Sequence, residues 1–236
     1  MDEKNGQDAV AGFVLRNATS IDKANFSRIC PTDLGLLFHI IDEHSFEGAL
    51  SAACEVKAQR PLSFRLSKRM TSSGGMTTMT SDGNRRDFEI AIATTPLFQT
   101  FQTEETIKVG GCPCRNRLEA LQRIMEHEMI HLAEMLIWDD SNCAAGRFRG
   151  IASRLFGHTE SNHQLMTPRD VARSRYRIRP GDMVRFRADG RLRTGFVNRI
   201  TKRATVLVDD PKGVMYTDGR KYLKYYVPIE KLTRAA

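Results

Sequence analysis

The chain has 236 residues, 41% of them apolar, and a formal charge of +8. That length suits one large domain or a medium domain plus a small one, and no apolar run nears the ~20 residues of a membrane helix. The charge is lopsided: residues 168–236 hold 18 Lys and Arg against 7 Asp and Glu, net +11, so the remainder nets −3. Such asymmetry predicts two modules, the second facing a polyanion. The opening "MDEKNGQDAVAGF" is acidic and polar, unlike a secretion signal. A cytoplasmic location is therefore expected, with the five cysteines (Cys30, Cys54, Cys112, Cys114, Cys143) as thiols and not as a disulfide framework.

Residues 1–30 read as a loose N-terminal segment. Residues 32–50, "TDLGLLFHIIDEHSFEGAL", place Leu34, Leu37, Phe38 and Ile41 at helical spacing behind a Thr32 or Asp33 cap, with His39 and His44 as ordinary helix residues. "PLSFRLSKRMTSS" alternates Leu62, Phe64 and Leu66 with polar residues, a strand with one buried face. "GGMTTMT" predicts a second strand after a Gly-Gly turn, and "DFEIAIATTPLF" a third. Arg65, Arg69, Arg85 and Arg86 flank these strands, either lining a cleft or solvated at the edges. "CPC" at 112–114 is not a zinc-finger spacing, and no second pair follows it.

The longest helical pattern is "RLEALQRIMEHEMIHLAEMLIW", 117–138, ended by "DDSN". A shorter helix follows, with Phe148, Ile151 and Leu155 inward and Gly157 as its stop. Residues 168–178 read as a basic linker. From 179 to 236, about five short alternating segments with Gly turns predict a small SH3-like or KOW/Tudor-like barrel. Arg185, Arg187, Arg191, Arg193, Arg199, Lys202 and Arg203 would point outward from it, with Tyr216, Tyr222 and Tyr225 adding aromatic faces. Charge for phosphate and rings for bases suit DNA or RNA, bound without sequence preference and sensitive to salt.

Within the long helix lies His127-Glu128-x-x-His131. Residues i and i+4 share a helix face, so both imidazoles can hold one ion. Glu128 stands next to the first, placed to act as general base. Zn²⁺ in such a site lowers the pKa of its water toward ~7, and Glu128 would relay that proton to a leaving amine. The competing reading is a solvated helix face carrying a histidine–glutamate pair.

The order helix, "FRLSKRM" strand, Gly turn, "FEIAIA" strand and "HEMIH" helix resembles the SprT-like family, which includes the Spartan proteases, over roughly residues 30–165. The resemblance implies a zinc metalloprotease of zincin type. Family members cleave proteins, in the Spartan branch those crosslinked to DNA. The fold class expected is α+β: a zincin-like domain of helices and a small three-stranded sheet at 31–167, then an all-β SH3-like barrel at 179–236. It also implies a substrate backbone added to a sheet edge beside the metal, for which "DFEIAIATT" is the expected strand.

The family's third histidine follows the second by about 15–20 residues as "GH", and this chain has none in that register. The next "GH" is Gly157-His158, which makes His158 the expected third ligand after an inserted helix at 139–156. His163 is an alternative. Cys143 is another, whose thiolate would donate more charge and make the bound water a poorer acid. The function expected is a zinc-dependent endopeptidase with Glu128 as base, acting on DNA- or RNA-associated proteins. The alternative is a non-enzymatic nucleic-acid-binding module with a structural zinc. Substrate identity and oligomeric state are not set by the sequence.

Overall fold

A computed structural model describes residues 3–83, 85–101 and 106–235. The protein is α+β, with seven α-helices and three sheets among the described residues. It divides into two compact units, Met1–Leu165 and Met166–Ala236. None of the described helices is long and apolar enough to cross a membrane.

In the first unit, helix α1 (Glu3–Asn17) stands where a loose segment is expected. Among its described side chains only Val10 and Val14, one turn apart, are buried, which is too sparse a stripe to stand out in a polar sequence. Helix α2 (Pro31–Phe46) buries Leu34, Leu37, Phe38 and Ile41. Its buried Asp33 accepts the backbone N–H groups of Thr19, Ser20 and Cys30, tying down the segment that leads in from α1. Glu47 and Gly48, both with positive φ, end α2 and start α3 (Ala49–Lys57). Asp42 then accepts from the Leu50 and Ser51 backbone N–H groups, satisfying donors that the start of α3 leaves open.

The sheet has strand order β1-β3-β2. β1 (Ser63–Ser67) runs parallel to β3 (Arg85–Ala93), and β2 (Gly75–Asp82) pairs antiparallel with β3. β3 is therefore the central strand, hydrogen-bonded on both sides, and cannot accept a peptide. The expectation that "DFEIAIATT" offers a free edge is corrected on this point: the edges are β1 and β2. Ile90 and Ile92 are fully buried, as a central strand requires. Arg65 pairs with Glu89 at 2.8 Å, and Arg86 grips Asp139 through both guanidinium nitrogens, so neither is free to line a cleft. The side chain of Arg85 lies outside the described residues.

A short helix α4 (Thr94–Gln99) and a small hairpin, β4 (Ile107–Val109) and β5 (Cys112–Cys114), precede the main helix. Gly110 and Gly111 both have positive φ, the backbone a two-residue hairpin loop of this twist needs. Cys112 and Cys114 are buried in the second strand, and burial pushes the Cys114 thiol up to about 12. Neither is in the group of donors among the described residues that could hold a metal ion.

Helix α5 (Arg117–Trp138) is the axis of this unit. Its N-cap Asn116 accepts from the Glu119 N–H, a contact that stabilises such a helix by about 1 kcal/mol. The sequence pattern is that of an amphipathic helix, yet sixteen of its 22 residues are buried, polar ones included. Leu118, Leu121, Met125, Met129 and Leu132 join the core. Helix α6 (Gly146–Phe156) packs on α5 through Phe148, Ala152 and Phe156, and Gly157 at φ 63° terminates it.

In the second unit, helix α7 (Pro168–Arg175) occupies the expected linker. Thr167 and Asp170 form a reciprocal capping box at its start. Ala172 and Ile178 enter the core of a five-stranded antiparallel sheet. Its strand order is β10 (Thr233–Arg234), β6 (Met183–Ala188), β7 (Arg191–Ile200), β8 (Ala204–Met215), β9 (Lys221–Val227). No pairing among the described residues joins β10 to β9 and closes the sheet. Along β6, buried Val184 and Phe186 alternate with exposed Arg185 and Arg187.

Candidate metal centre

His127 and His131 leave α5 on one face and meet at their tips, with the two Nε2 atoms 3.2 Å apart. Two ligands of one tetrahedral ion with bonds of ~2.0–2.1 Å stand about 3.3 Å from each other, so the pair already has a chelating separation. Phe148 of α6 backs both rings, at 4.8 and 4.5 Å between centroids. Burial, together with the neighbouring imidazoles of His131, His158 and His163, drives His127 down to about 3. Burial also lowers His131, against the pull of Glu134. Both rings are thus neutral at physiological pH, the state that binds metal.

The tautomer of His131 follows from its partners. Its Nδ1 lies 2.6 Å from Ser141 Oγ, and Ser141 gives its own proton to Glu134 Oε2, also at 2.6 Å. Ser141 can therefore only accept, which puts the His131 proton on Nδ1 and leaves the Nε2 lone pair free. Burial works to raise the Glu134 carboxyl, but bonds from Arg147 and Ser141 outweigh it and hold the group below its ordinary value. A carboxylate-backed histidine of this kind is how metal ligands are oriented.

Glu128 is 3% exposed. Thr77 Oγ1 on β2 lies 2.8 Å from its Oε2 and 2.9 Å from its backbone carbonyl. Burial pushes the carboxyl up to about 7, with Thr77 opposing. Gly75, also on β2, is where the carboxylate is pressed: a Cβ there would sit 2.6 Å from Oε1. His127, Glu128 and His131 line one cavity of about 520 Å³, together with Gly75, Met76 and Thr77 of β2.

Cys143 lines this cavity too. The donor atoms of His127, His131 and Cys143 lie within 4.8 Å of one another, and this group could hold a metal ion. His163 borders the same cavity, held by a bridge to Val109, but is not in that donor group. His158, the expected third ligand, is not in that donor group. It is 3% exposed, its Nε2 is 3.0 Å from Glu126 Oε2, and it borders a different, smaller cavity. Glu126 Oε2 also accepts from Arg123 at 3.0 Å, so His158 belongs to a buried cluster with Glu126 and Arg123.

Thr77, Gly75, Ser141 and Glu134 are site residues that sequence reasoning passed over. Glu134 was the most accessible of them, since it lies three residues past His131 and therefore near it on the helix. "DDSN" reads only as a helix breaker, and nothing local signals that Ser141 returns to the helix. No protein-family model, characterised protein or solved structure matches the chain.

Proposed function

We propose that the first unit is a zinc-dependent endopeptidase of SprT-like, zincin type. In this reading the second unit is an SH3-like module that brings it to DNA- or RNA-associated proteins. The observation that carries the reading is the convergence of two neutral imidazoles with a buried carboxyl in one cavity beside an open strand edge. Zinc suits a set of imidazole and thiol donors, and when bound supplies Lewis acidity toward a carbonyl and toward water.

The protein's own groups supply the rest. Glu128, with a value near neutrality, can take a proton from attacking water and return it to a leaving amine. Thr77 holds the carboxyl in place by donating to its Oε2. The free edge of β2 offers backbone N–H and C=O groups to an extended peptide passing the cavity. Met76, Ile124 and Met135 give the cavity apolar walls for a side chain.

A structural zinc in a non-enzymatic module would call for a fourth protein donor closing the site. The donor group among the described residues has three members and faces a cavity, which favours the catalytic reading. The test is cleavage of a DNA-bound protein by the zinc-loaded chain and by Glu128→Gln. Expected is one zinc per chain in both, with cleavage slowed at least ~100-fold in the variant. Equal cleavage by the two, or none by the wild type, would refute the proposal.

A further inference from the structure

Three candidates compete to complete the site, and the structure separates them. His158 has its Nε2 engaged by Glu126 at 3.0 Å and faces another cavity. His163 borders the correct cavity but lies outside the group of donors that come within 4.8 Å of one another. Cys143 is in that group.

The turn that bears Cys143 is also fastened to the histidine helix. Ser141 bonds both His131 and Glu134. Arg147, beyond the turn, bonds Glu134 at 2.7 Å and the Asp140 carbonyl at 3.2 Å. Inside it, the Ala144 N–H donates to Asn142 Oδ1 and the Ala145 N–H to the Asn142 carbonyl. One buried carboxylate, Glu134, thus orients His131 and anchors both flanks of the cysteine. Cys143 itself is only half-buried, so reagents in solvent can reach it.

We infer that Cys143 supplies the third metal bond, giving a His₂Cys centre whose occupancy is set by the state of one accessible thiol. This rests on the first unit being a metal centre, and not on its acting as a protease. A peroxide would disable the site. As its O–O bond breaks, an S–O bond forms, hydroxide leaves, and the thiolate is oxidised by two electrons to a sulfenic acid. The sulfenic acid is a poor ligand, and a thiol reductant reverses the change. The other thiols do not substitute. Cys54, Cys112 and Cys114 are buried, and Cys30 donates to Asp33 on α2.

The experiment is Co²⁺ titration of the full chain, read by absorption. Wild type should bind one Co²⁺ with a thiolate-to-cobalt charge-transfer band in the near ultraviolet. Cys143→Ala should lose the band and bind roughly 100-fold more weakly or worse, beyond the 10- to 100-fold typical of supporting residues. His158→Ala and His163→Ala should keep the band. Cys143→His should bind one Co²⁺ without it. Peroxide should release zinc from wild type, read with a chromophoric chelator, but not from Cys143→His. Co²⁺ bound with no band, and equally tightly by Cys143→Ala, would overturn the inference and leave the metal centre standing. Loss of binding in His163→Ala with retention in Cys143→Ala would overturn it in favour of the histidine. A wild-type chain that binds no Co²⁺ would remove both the inference and the metal centre it rests on.

Discussion

Ser141 Oγ stands 2.6 Å from His131 Nδ1 and 2.6 Å from Glu134 Oε2, a relay that fixes which nitrogen of His131 faces the cavity. Ser141→Ala removes the acceptor for the His131 proton while Arg147 stays on Glu134. Metal affinity should fall by about 10- to 100-fold, measured by competition with a chelator. Ser141→Thr, which keeps the hydroxyl, should restore most of it. Unchanged affinity in the alanine variant would mean that the ring is oriented by Phe148 packing alone.

Gly75 is matched to Glu128. An alanine there would bring its Cβ to 2.6 Å from Oε1 and 2.7 Å from Cγ, too close for either group to stay. Glu128 would have to give up the position in which Thr77 bonds it. Gly75→Ala should cost about 1–3 kcal/mol in thermal or urea unfolding. It should also reduce cleavage more than it reduces zinc binding, because the three atoms nearest such a Cβ all belong to Glu128.

The pairing of His127 with His131 was legible because its geometry is local: four residues along a helix is one turn, whatever the fold. The β2–β3 hairpin and the alternation of Val184, Arg185, Phe186 and Arg187 were legible for the same reason. Cys143 could be named from the sequence only as one alternative among three, since it joins the donor group of His127 and His131 through the turn that Glu134 and Arg147 hold. His158 misleads because a Gly-His pair after a helix looks alike whether the ring turns to a metal or to a buried carboxylate. The place of β3 in the sheet was equally hidden: alternation gives a strand its faces but not its neighbours. The hairpin at 107–114 did carry a local signal, Gly110-Gly111 between two short strands, that was passed over.

Glu128 makes the metal-free chain less stable as pH rises. Its native value, about 7, lies above the ordinary 4.5, so the native state holds a proton that the unfolded state has lost. The stabilising contribution is complete below pH ~4.5 and is lost as pH climbs through about 7. A rise from 4.5 to about 7 corresponds to roughly 3 kcal/mol. Glu128→Gln, which cannot ionise, should therefore exceed wild type by that order at pH 8 in a chelator, with the difference vanishing near pH 4. His127, held down to about 3, contributes in the opposite direction as pH falls below 6.5, but equally in both proteins. Urea unfolding at the two pH values checks this. Parallel stabilities would mean that Glu128 is ionised in the fold.

His158, Glu126 and Arg123 form a structural cluster, and their variants should separate stability from metal. Arg123 also donates to the Phe156 carbonyl at 2.8 Å, so the cluster ties the end of α6 to α5. His158→Ala should cost about 1–3 kcal/mol by leaving Glu126 with fewer partners. Glu126→Ala should cost about 3–5 kcal/mol by leaving the Arg123 charge buried and unpaired. Both should retain one zinc per folded chain by elemental analysis. Loss of zinc in folded His158→Ala would return His158 to the list of ligands.

Arg185 and Arg187 test the nucleic-acid role of the second unit without touching its core. Both are exposed, and the residues between and beside them, Val184 and Phe186, carry the packing. If they neutralise phosphates, the double substitution Arg185→Ser/Arg187→Ser gives up two counterion-releasing contacts. The slope of log K against log salt should then shrink by about 1.8 for duplex DNA and about 1.4 for a single strand. Unfolding free energy should change by no more than about 1 kcal/mol, since each exposed side chain away from special features contributes at most about 0.5 kcal/mol. Fluorescence anisotropy with labelled DNA at several salt concentrations measures the slope directly. An unchanged slope would move the contact surface off β6, and binding insensitive to salt in the wild type would remove phosphate recognition from this unit altogether.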